Sequence, residues 1–205
     1  MSCEGIIHIV DDDRAAREGL GFLLSSLGLE IREHASAAAL LDMIGDQAEG
    51  CILADVRMPE MTGLELLDEL KRRNCPLPVI MITGHGDVPM AVRAMRAGAI
   101  DFFEKPVDGM ALVDRIKDAL AASRERAREA RKTASLREKI NSLTAREAEV
   151  ARAVARGLQN KQIAAELGIS PKTVEIHRHN VMEKMGAGST ADLVRQLVAA
   201  GWAEI

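Results

Sequence analysis

The sequence predicts an α/β domain with a five-stranded, doubly wound parallel sheet, followed by a small all-α domain that contains a helix-turn-helix. Short apolar runs alternate with amphipathic segments five times over residues 1–122, which requires a parallel sheet covered on both faces. Aromatic residues are rare, with three Phe, one Trp and no Tyr, and this argues against an all-β sandwich. From residue 143 onwards, short helical segments replace the strands.

Polar residues follow most of the predicted strands. The segment that leads to Asp55 stops soon afterwards, because Pro59 cannot donate a ladder hydrogen bond and Gly63 favours a turn. The predicted strands are residues 6–10, 30–33, 51–55, 79–82 and 100–103, and the polar residues at their ends are Asp11, Asp12, Asp13, Asp55, Thr83 and Lys105.

A helix is predicted after each strand from the spacing of apolar residues. Gly28 ends the first helix, and Ser36 caps the second. Leucines 64, 67 and 70 mark the third, while Asp87 caps the fourth with Pro89 in its first turn. The last helix of this domain begins near Asp108. This order places every strand end at the same edge of the sheet.

The polar strand ends should therefore converge, and ligands of open α/β sheets collect at that edge. Several carboxylates held close together are costly unless a cation joins them, and a hard divalent ion such as Mg²⁺ (or Mn²⁺) prefers oxygen ligands. Lys105 adds a positive charge and Thr83 a hydroxyl donor, which together can stabilise a phosphoryl group placed covalently on a carboxylate. Asp13 is interpreted as a helix cap rather than a ligand.

Composition and charge limit the classes of protein. Apolar residues make up 47% and charged residues 28%, so the chain is not expected to be disordered. No run of 18 apolar residues or secretory signal is seen, and three cysteines without CxxC spacing indicate reduced thiols in the cytoplasm. Residues 1–122 carry 12 Lys and Arg against 21 Asp and Glu, whereas residues 123–205 carry 15 against 10. The asymmetry indicates two domains with different partners, nucleic acid being a candidate for the second.

Four motifs follow the predicted strands of residues 1–122. They are Val-Asp-Asp-Asp at 10–13, Ala-Asp-Val-Arg-Met-Pro with Gly63 at 54–63, Thr-Gly at 83–84 and Glu-Lys-Pro at 104–106. Through these motifs residues 1–122 resemble a response-regulator receiver domain, which has a flavodoxin-like (CheY-like) fold. The stretch 83–92 is especially similar to the FixJ group.

This resemblance implies a role for each matching residue. Asp55 accepts a phosphoryl group from a histidine kinase, and Lys105 bonds a phosphoryl oxygen, with a cis peptide expected before Pro106. Thr83 and Phe102 form the switch pair. The implied Mg²⁺ ligands are Asp11, Asp12, Asp55 and the backbone carbonyl of Arg57. His85 is interpreted as a loop residue and not as a catalytic one.

The second part of the chain begins with a charged connector. Residues 123–141 are rich in Ala, Arg and Glu without Gly or Pro, which predicts a helical linker running to about Lys139. Its thin apolar stripe leaves open a lone spacer helix or a coiled coil. Beyond it, Thr144 and Glu147 form a predicted capping box. Helices at 160–167 and 171–185, joined by a Gly turn, make a helix-turn-helix within a domain of residues 142–205.

Residues 143–202 resemble the DNA-binding domain of the LuxR type, through Leu-Thr-x-Arg-Glu, Asn-Lys-x-Ile-Ala, Ser-Pro-Lys-Thr-Val-Glu-x-His and Lys-Met. Val174 and Val181 are expected to face the core. By this resemblance Glu175, Ile176 and His179 occupy base-contacting positions. The predicted phosphate contacts are Lys161, Lys172, Thr173, Arg178 and Lys184.

Together these features predict a transcriptional regulator of a two-component system, of the FixJ/NarL type, and not an enzyme. Its expected partners are a histidine kinase, double-stranded DNA, RNA polymerase and a second copy of the chain after phosphorylation, with no membrane contact and a cytoplasmic location. A phosphatase using Asp55 as nucleophile would need an acid two residues on, where Arg57 stands. A DNA binder that does not depend on phosphorylation is not excluded by the sequence.

Overall fold

A computed structural model describes residues 5–25, 28–45, 48–84 and 86–202. His85 and Cys3 lie outside these residues. The chain divides into two compact units, Met1–Ala127 and Arg128–Ile205. The predicted domain limits at 122 and 142 stay predictions.

The first unit contains the predicted five-stranded sheet. Its strands are β1 (Ile6–Val10), β2 (Glu30–His34), β3 (Gly50–Asp55), β4 (Val79–Thr83) and β5 (Asp101–Glu104). They lie in the order β2-β1-β3-β4-β5, and every neighbouring pair is parallel, which confirms the predicted fold class.

Helices cover both faces of this sheet. They are α1 (Arg14–Ser25), α2 (Ala37–Met43), α3 (Gly63–Arg72), α4 (Val88–Ala97) and α5 (Gly109–Asn141). One core joins one sheet face to α2, α3 and α4, and a second core joins the other face to α1 and α5. Residues on β3 and β4 alternate between the two cores, and β3 is buried along its whole length.

The register brings the strand ends together at one edge. Val10 pairs with Ala54, Asp55 with Ile82, and Thr83 with Glu104. The residues that follow β1, β3, β4 and β5 are thus neighbours in space, as the sequence predicted.

Gly63 differs from its predicted role as a turn residue, because it is the first residue of α3. Its N–H donates to the carbonyl of Val56 at 3.0 Å, and a Cβ at this position would lie 2.3 Å from the Asp55 carbonyl oxygen. The glycine is needed so that α3 can begin against the backbone of Asp55. Thr62 caps the helix and forms a capping box with Glu65.

The second unit is helical, with a core that includes Ile140 near the end of α5. Thr144 and Glu147 form the predicted capping box, and Ser170 caps the helix that begins at Pro171. Gly168, with φ of 66°, ends the preceding helix and makes the turn of the helix-turn-helix. The helices are α6 (Ala145–Ala155), α7 (Asn160–Leu167), α8 (Pro171–Met185) and α9 (Thr190–Ala199). Across the described residues, no helix has the length and apolar character needed to cross a bilayer.

Candidate functional site

Lys105 connects two carboxylates that come from different strands. Its Nζ donates to Asp11 Oδ2 at 2.6 Å and to Asp55 Oδ1 at 2.9 Å. Asp11 and Asp55 are only 3% and 8% exposed. The backbone N–H of Lys105 donates to the Thr83 carbonyl at 2.7 Å, which fixes the segment after β5 against the end of β4. The ends of β1, β3, β4 and β5 therefore build one acidic pocket around a single ammonium group.

Burial and hydrogen bonding act in opposite directions on the charged groups of this pocket. Burial raises the pKa of Asp55, although the hydrogen bonds from Lys105 and from the Arg57 amide lower it. Burial also disfavours the ammonium form of Lys105, but its bonds with Asp11 and Asp55 prevail and raise its pKa. Two buried carboxylates thus share one cation, so the ammonium group of Lys105 does not fully neutralise the negative charge of Asp55.

The backbone of Asp11 is held from both sides. Its N–H donates to the carbonyl of His34 on β2 at 3.2 Å, and its own carbonyl accepts from Arg17 Nη1 at 2.6 Å. The Arg17 side chain is 13% exposed, and its Nε lies 3.7 Å from Glu33 Oε2. Arg17 therefore links α1, β1 and β2 directly behind the acidic pocket.

The other predicted metal ligands lie beside this pair. Asp12 is exposed, whereas Asp13 Oδ1 accepts from the Ala15 N–H at 2.9 Å at the start of α1, as expected for a cap. The Arg57 amide donates to Asp55 Oδ2 at 2.6 Å. Among the described residues, no group of three or more His, Cys, Asp or Glu side chains is already arranged to hold a metal ion. The oxygen donors suit Mg²⁺, and Lys105 bridges the two buried carboxylates.

Thr83 and Phe102 lie on adjacent strands near the same loop. Thr83 is 1% exposed at the end of β4, and Phe102 is half-buried on β5. A Cβ on Gly86 would lie 3.0 Å from a ring carbon of Phe102 and 3.2 Å from the Thr83 methyl group. The loop after β4 thus packs against both predicted switch residues.

In the second unit, α8 presents the predicted base-contacting residues outward. Glu175, Ile176 and His179 are exposed, and Ile176 is 55% exposed although it is apolar. Val174 and Val181 are buried in the core, as expected. The predicted phosphate contacts Lys161 and Lys172 are also exposed, while Thr173 is half-buried.

Two other predicted phosphate contacts have partners within the unit. Arg178 donates to Asn160 Oδ1 at 2.8 Å and to Thr190 Oγ1 at 3.1 Å, and so ties α8 to the starts of α7 and α9. Lys184 Nζ donates to Glu147 Oε2 at 2.6 Å, and this bond lowers the pKa of Glu147 to about 2. Their assignment to DNA stays a prediction.

Comparison with known proteins decides the family. The model of the response regulator receiver domain matches residues 7–117, and that of the bacterial regulatory proteins of the luxR family matches residues 141–197. The transcriptional regulatory protein FixJ of Azorhizobium caulinodans is 49% identical over 195 residues, covering 95% of this chain and 92% of FixJ. The chain belongs to the FixJ-like response regulators. It is thus a phosphorylation-dependent transcription regulator with a receiver and a LuxR-type DNA-binding domain.

Further relatives of this response regulator agree in length and fold. The response regulator protein TmoT of Ectopseudomonas mendocina is 46% identical, over 94% of this chain and 87% of TmoT. The solved structure of the response regulator StyR is 43% identical, with a TM-score of 0.86 over 94% of this chain and 98% of StyR.

Sequence reasoning missed the residues that support the acidic pocket. Arg17 contributes through a bond to a main-chain carbonyl, and the carbonyl of His34 contributes through its backbone alone. A main-chain carbonyl can come from any residue, so neither interaction leaves a motif in the sequence. The only available signal was an arginine in the first turns of the helix that follows the acidic run.

Proposed function

We propose that Asp55 is the phosphoryl acceptor of this response regulator and that a histidine kinase is the donor. The observation that carries the proposal is the double hydrogen bond of Lys105 Nζ to Asp11 and Asp55. An Asp55 oxygen attacks the phosphorus of a phosphohistidine, the P–N bond breaks, and the imidazole leaves as the second product. The burial that raises the pKa of Asp55 also strips solvent from the nucleophile.

Mg²⁺ (or Mn²⁺) is the proposed cofactor, held by Asp11, Asp12, Asp55 and the Arg57 carbonyl. The donor chemistry fits, because two buried carboxylates share only one ammonium group. When bound, the ion supplies positive charge to the phosphoryl oxygens. Lys105, which follows β5 at the same edge of the sheet, supplies a second positive charge, and the Arg57 amide holds Asp55 Oδ2 in place.

The proposed switch passes from Thr83 to Phe102 and to the face of α4. The Thr83 hydroxyl moves toward the phosphoryl group, and the Phe102 ring turns inward. The face of α4 carries exposed apolar residues, with Val88 78%, Val92 44% and Met95 48% exposed. This surface supports a homodimer that forms on phosphorylation.

The proposed output is binding of double-stranded DNA by α8. Glu175, Ile176 and His179 read base edges, and cationic residues around them contact phosphates. RNA polymerase is the proposed further partner, and the cytoplasm the proposed location, because kinase, DNA and polymerase meet there. A homodimer places two copies of α8 on half-sites about one helical turn apart.

Treatment with acetyl phosphate and Mg²⁺, followed by intact-mass measurement, tests the acceptor. We expect the wild-type chain to gain one phosphoryl group and Asp55→Asn to gain none. Asp68→Asn is the matched control, because Asp68 is an exposed carboxylate on α3. DNA binding measured on the same samples should rise only in the proteins that gain phosphate. Donor-stimulated DNA binding that survives Asp55→Asn would contradict the proposal.

A further inference from the structure

A groove of about 570 Å³ on the second unit collects cationic side chains from one face of α5. We call it the basic groove and define it by Arg128, Arg131, Lys132, Lys139 and Gln196. Arg131, Lys132 and Lys139 follow Arg128 by three, four and eleven residues, so the four cations lie on one side of the helix. Gln196 closes the groove from α9.

Among the described residues that line the basic groove, none is an Asp or Glu. Lys132 pairs with Glu129 at 2.5 Å, but that pair is more than half exposed on both sides and stabilises little. Cations at positions i and i+4 of a helix, such as Arg128 and Lys132, repel each other and weaken the helix. A partner with several negative charges would relieve this repulsion.

The groove also contains an unsatisfied polar atom. Gln196 Nε2 donates to Asp192 Oδ2 at 3.2 Å, whereas Gln196 Oε1 is buried without a hydrogen-bond partner among the described residues. Buried acceptors normally have a partner, so this one is expected to come from solvent or a ligand. Water-bridged contacts of this kind are common where proteins meet DNA.

The basic groove adjoins the end of the proposed recognition helix. Lys139 Nζ, which lines the groove, donates to the carbonyl of Met185, the last residue of α8. The 15 residues of α8 give it a length of about 22 Å, whereas the major groove is about 12 Å wide. When the first half of α8 lies in the major groove, its last turn therefore reaches the bordering phosphates.

We propose that the basic groove binds the phosphodiester backbone of DNA beside the half-site that α8 reads. The inference deepens the proposed function and rests on α8 being the helix that enters the DNA. The connector between receiver and output is then part of the DNA-binding surface, and not only a spacer. It contributes affinity without base specificity, since phosphates carry no sequence information.

The test compares two triple variants of the full chain that remove the same charge. Arg128→Gln, Arg131→Gln and Lys132→Gln alter the groove, while Lys139 is kept because it bonds to Met185. Gln preserves helix propensity. The matched control alters three cations outside the groove, which are Arg137, Arg146 and Arg195, each changed to Gln. Binding to a fluorescent random-sequence duplex is measured by anisotropy over a range of KCl concentrations.

We expect the groove variant to reduce the slope of log K against log salt by about two or more, since each lost phosphate contact contributes about 0.9. Its affinity in about 0.1 M salt should fall at least about tenfold more than that of the control. The single variants Arg128→Gln and Arg131→Gln should each lower the slope by about 0.9, which keeps the test valid if the triple variant unfolds.

Equal slopes and affinities in the groove and control variants would overturn the proposal, because the cations would then act only through net charge. Replacing Arg128 and Arg131 by Lys should retain both slope and affinity. The same series in an Asp55→Asn background separates this inference from the phosphoacceptor. That substitution removes the response to acetyl phosphate but leaves the difference between groove and control unchanged.

Discussion

Both units of the protein contain a lysine that bonds to a buried carboxylate, but the number of carboxylates per lysine differs between the two clusters. In the receiver, Lys105 is shared between Asp11 and Asp55, and burial raises the pKa of Asp55. In the DNA-binding unit, Lys184 bonds to one carboxylate, that of Glu147, and to the Ser142 carbonyl, and the pKa of Glu147 falls to about 2. The Thr144 N–H adds a further donor to Glu147 at 2.8 Å.

The difference separates the proposed phosphoacceptor site from a structural ion pair. Glu147 shares its lysine with no other carboxylate among the described residues, and its ion pair holds α6 to α8. Asp55 shares its lysine with Asp11, so we expect the pocket to gain stability when positive charge is added or when the Asp55 carboxylate is converted to an acyl phosphate bonded by Lys105. A search for buried Lys–carboxylate pairs alone would find both clusters, and only the ratio of carboxylates to cations distinguishes them.

The largest expected effect comes from removing the shared cation. Lys105→Met leaves the Asp11 and Asp55 carboxylates without their ammonium partner and removes charge stabilisation from the transferred phosphoryl group. We expect the rate of phosphorylation by acetyl phosphate to fall by about a hundredfold or more. Lys117→Met, which removes an exposed ion pair with Asp114, is the control. A rate within about threefold of wild type would show that Lys105 is not part of the reacting site.

The corresponding change in the second cluster should affect stability and not chemistry. Lys184→Met leaves Glu147, whose side chain is 5% exposed, without its cation. We expect the free energy of unfolding of this unit to fall by about 1–3 kcal/mol in urea, with the phosphorylation rate unchanged. Lys132→Met, which breaks an exposed pair, should change stability by less than about 0.5 kcal/mol. The distinction between the clusters fails if Lys184→Met slows phosphorylation instead.

The smallest expected effect is a difference in acid stability. The pKa of Glu147 is about 2 in the folded chain against an ordinary value of 4.5, so its contribution is complete above about pH 5 and is lost as the pH falls toward 2. The contribution of Asp55 to stability depends on pH in the opposite direction, because its raised pKa favours the protonated folded form. Between about pH 5 and pH 3, the free energy of unfolding measured in urea should fall by about 1 kcal/mol less in Glu147→Gln than in wild type. If the stability of wild type and of Glu147→Gln changes with pH in the same way, the lowered pKa of Glu147 is contradicted.

The sequence was sufficient to predict where the proposed site residues lie, because their placement follows from topology. Asp11 follows β1, Asp55 and Thr83 end β3 and β4, and parallel strands place such ends at one edge. The capping residues Ser36, Thr144 and Ser170 were also predicted, since a cap depends on neighbours within one turn. Helix caps and residues at strand ends could therefore be predicted from short-range sequence patterns and strand order.

Interactions between distant segments could not be predicted in this way. The bond of Lys184 to Glu147 joins residues 37 positions apart, and that of Arg178 to Asn160 joins residues 18 apart. Both cations look like free phosphate contacts in sequence, because a helix surface alone does not show what packs beside it. Gly63 was predicted to be a turn residue for the same reason, since its close approach to the Asp55 carbonyl exists only in the folded unit.

The most direct test of the charge imbalance is a ¹³C NMR titration of the Asp55 and Glu147 carboxyl carbons, with and without Mg²⁺. We expect the pKa of Asp55 to lie above its ordinary value without the ion and to fall when Mg²⁺ is added. The pKa of Glu147 should stay near 2 in both conditions. An Asp55 pKa at or below the ordinary value that does not respond to Mg²⁺ would contradict the proposal that this pocket is short of positive charge and open to a metal ion and a phosphoryl group.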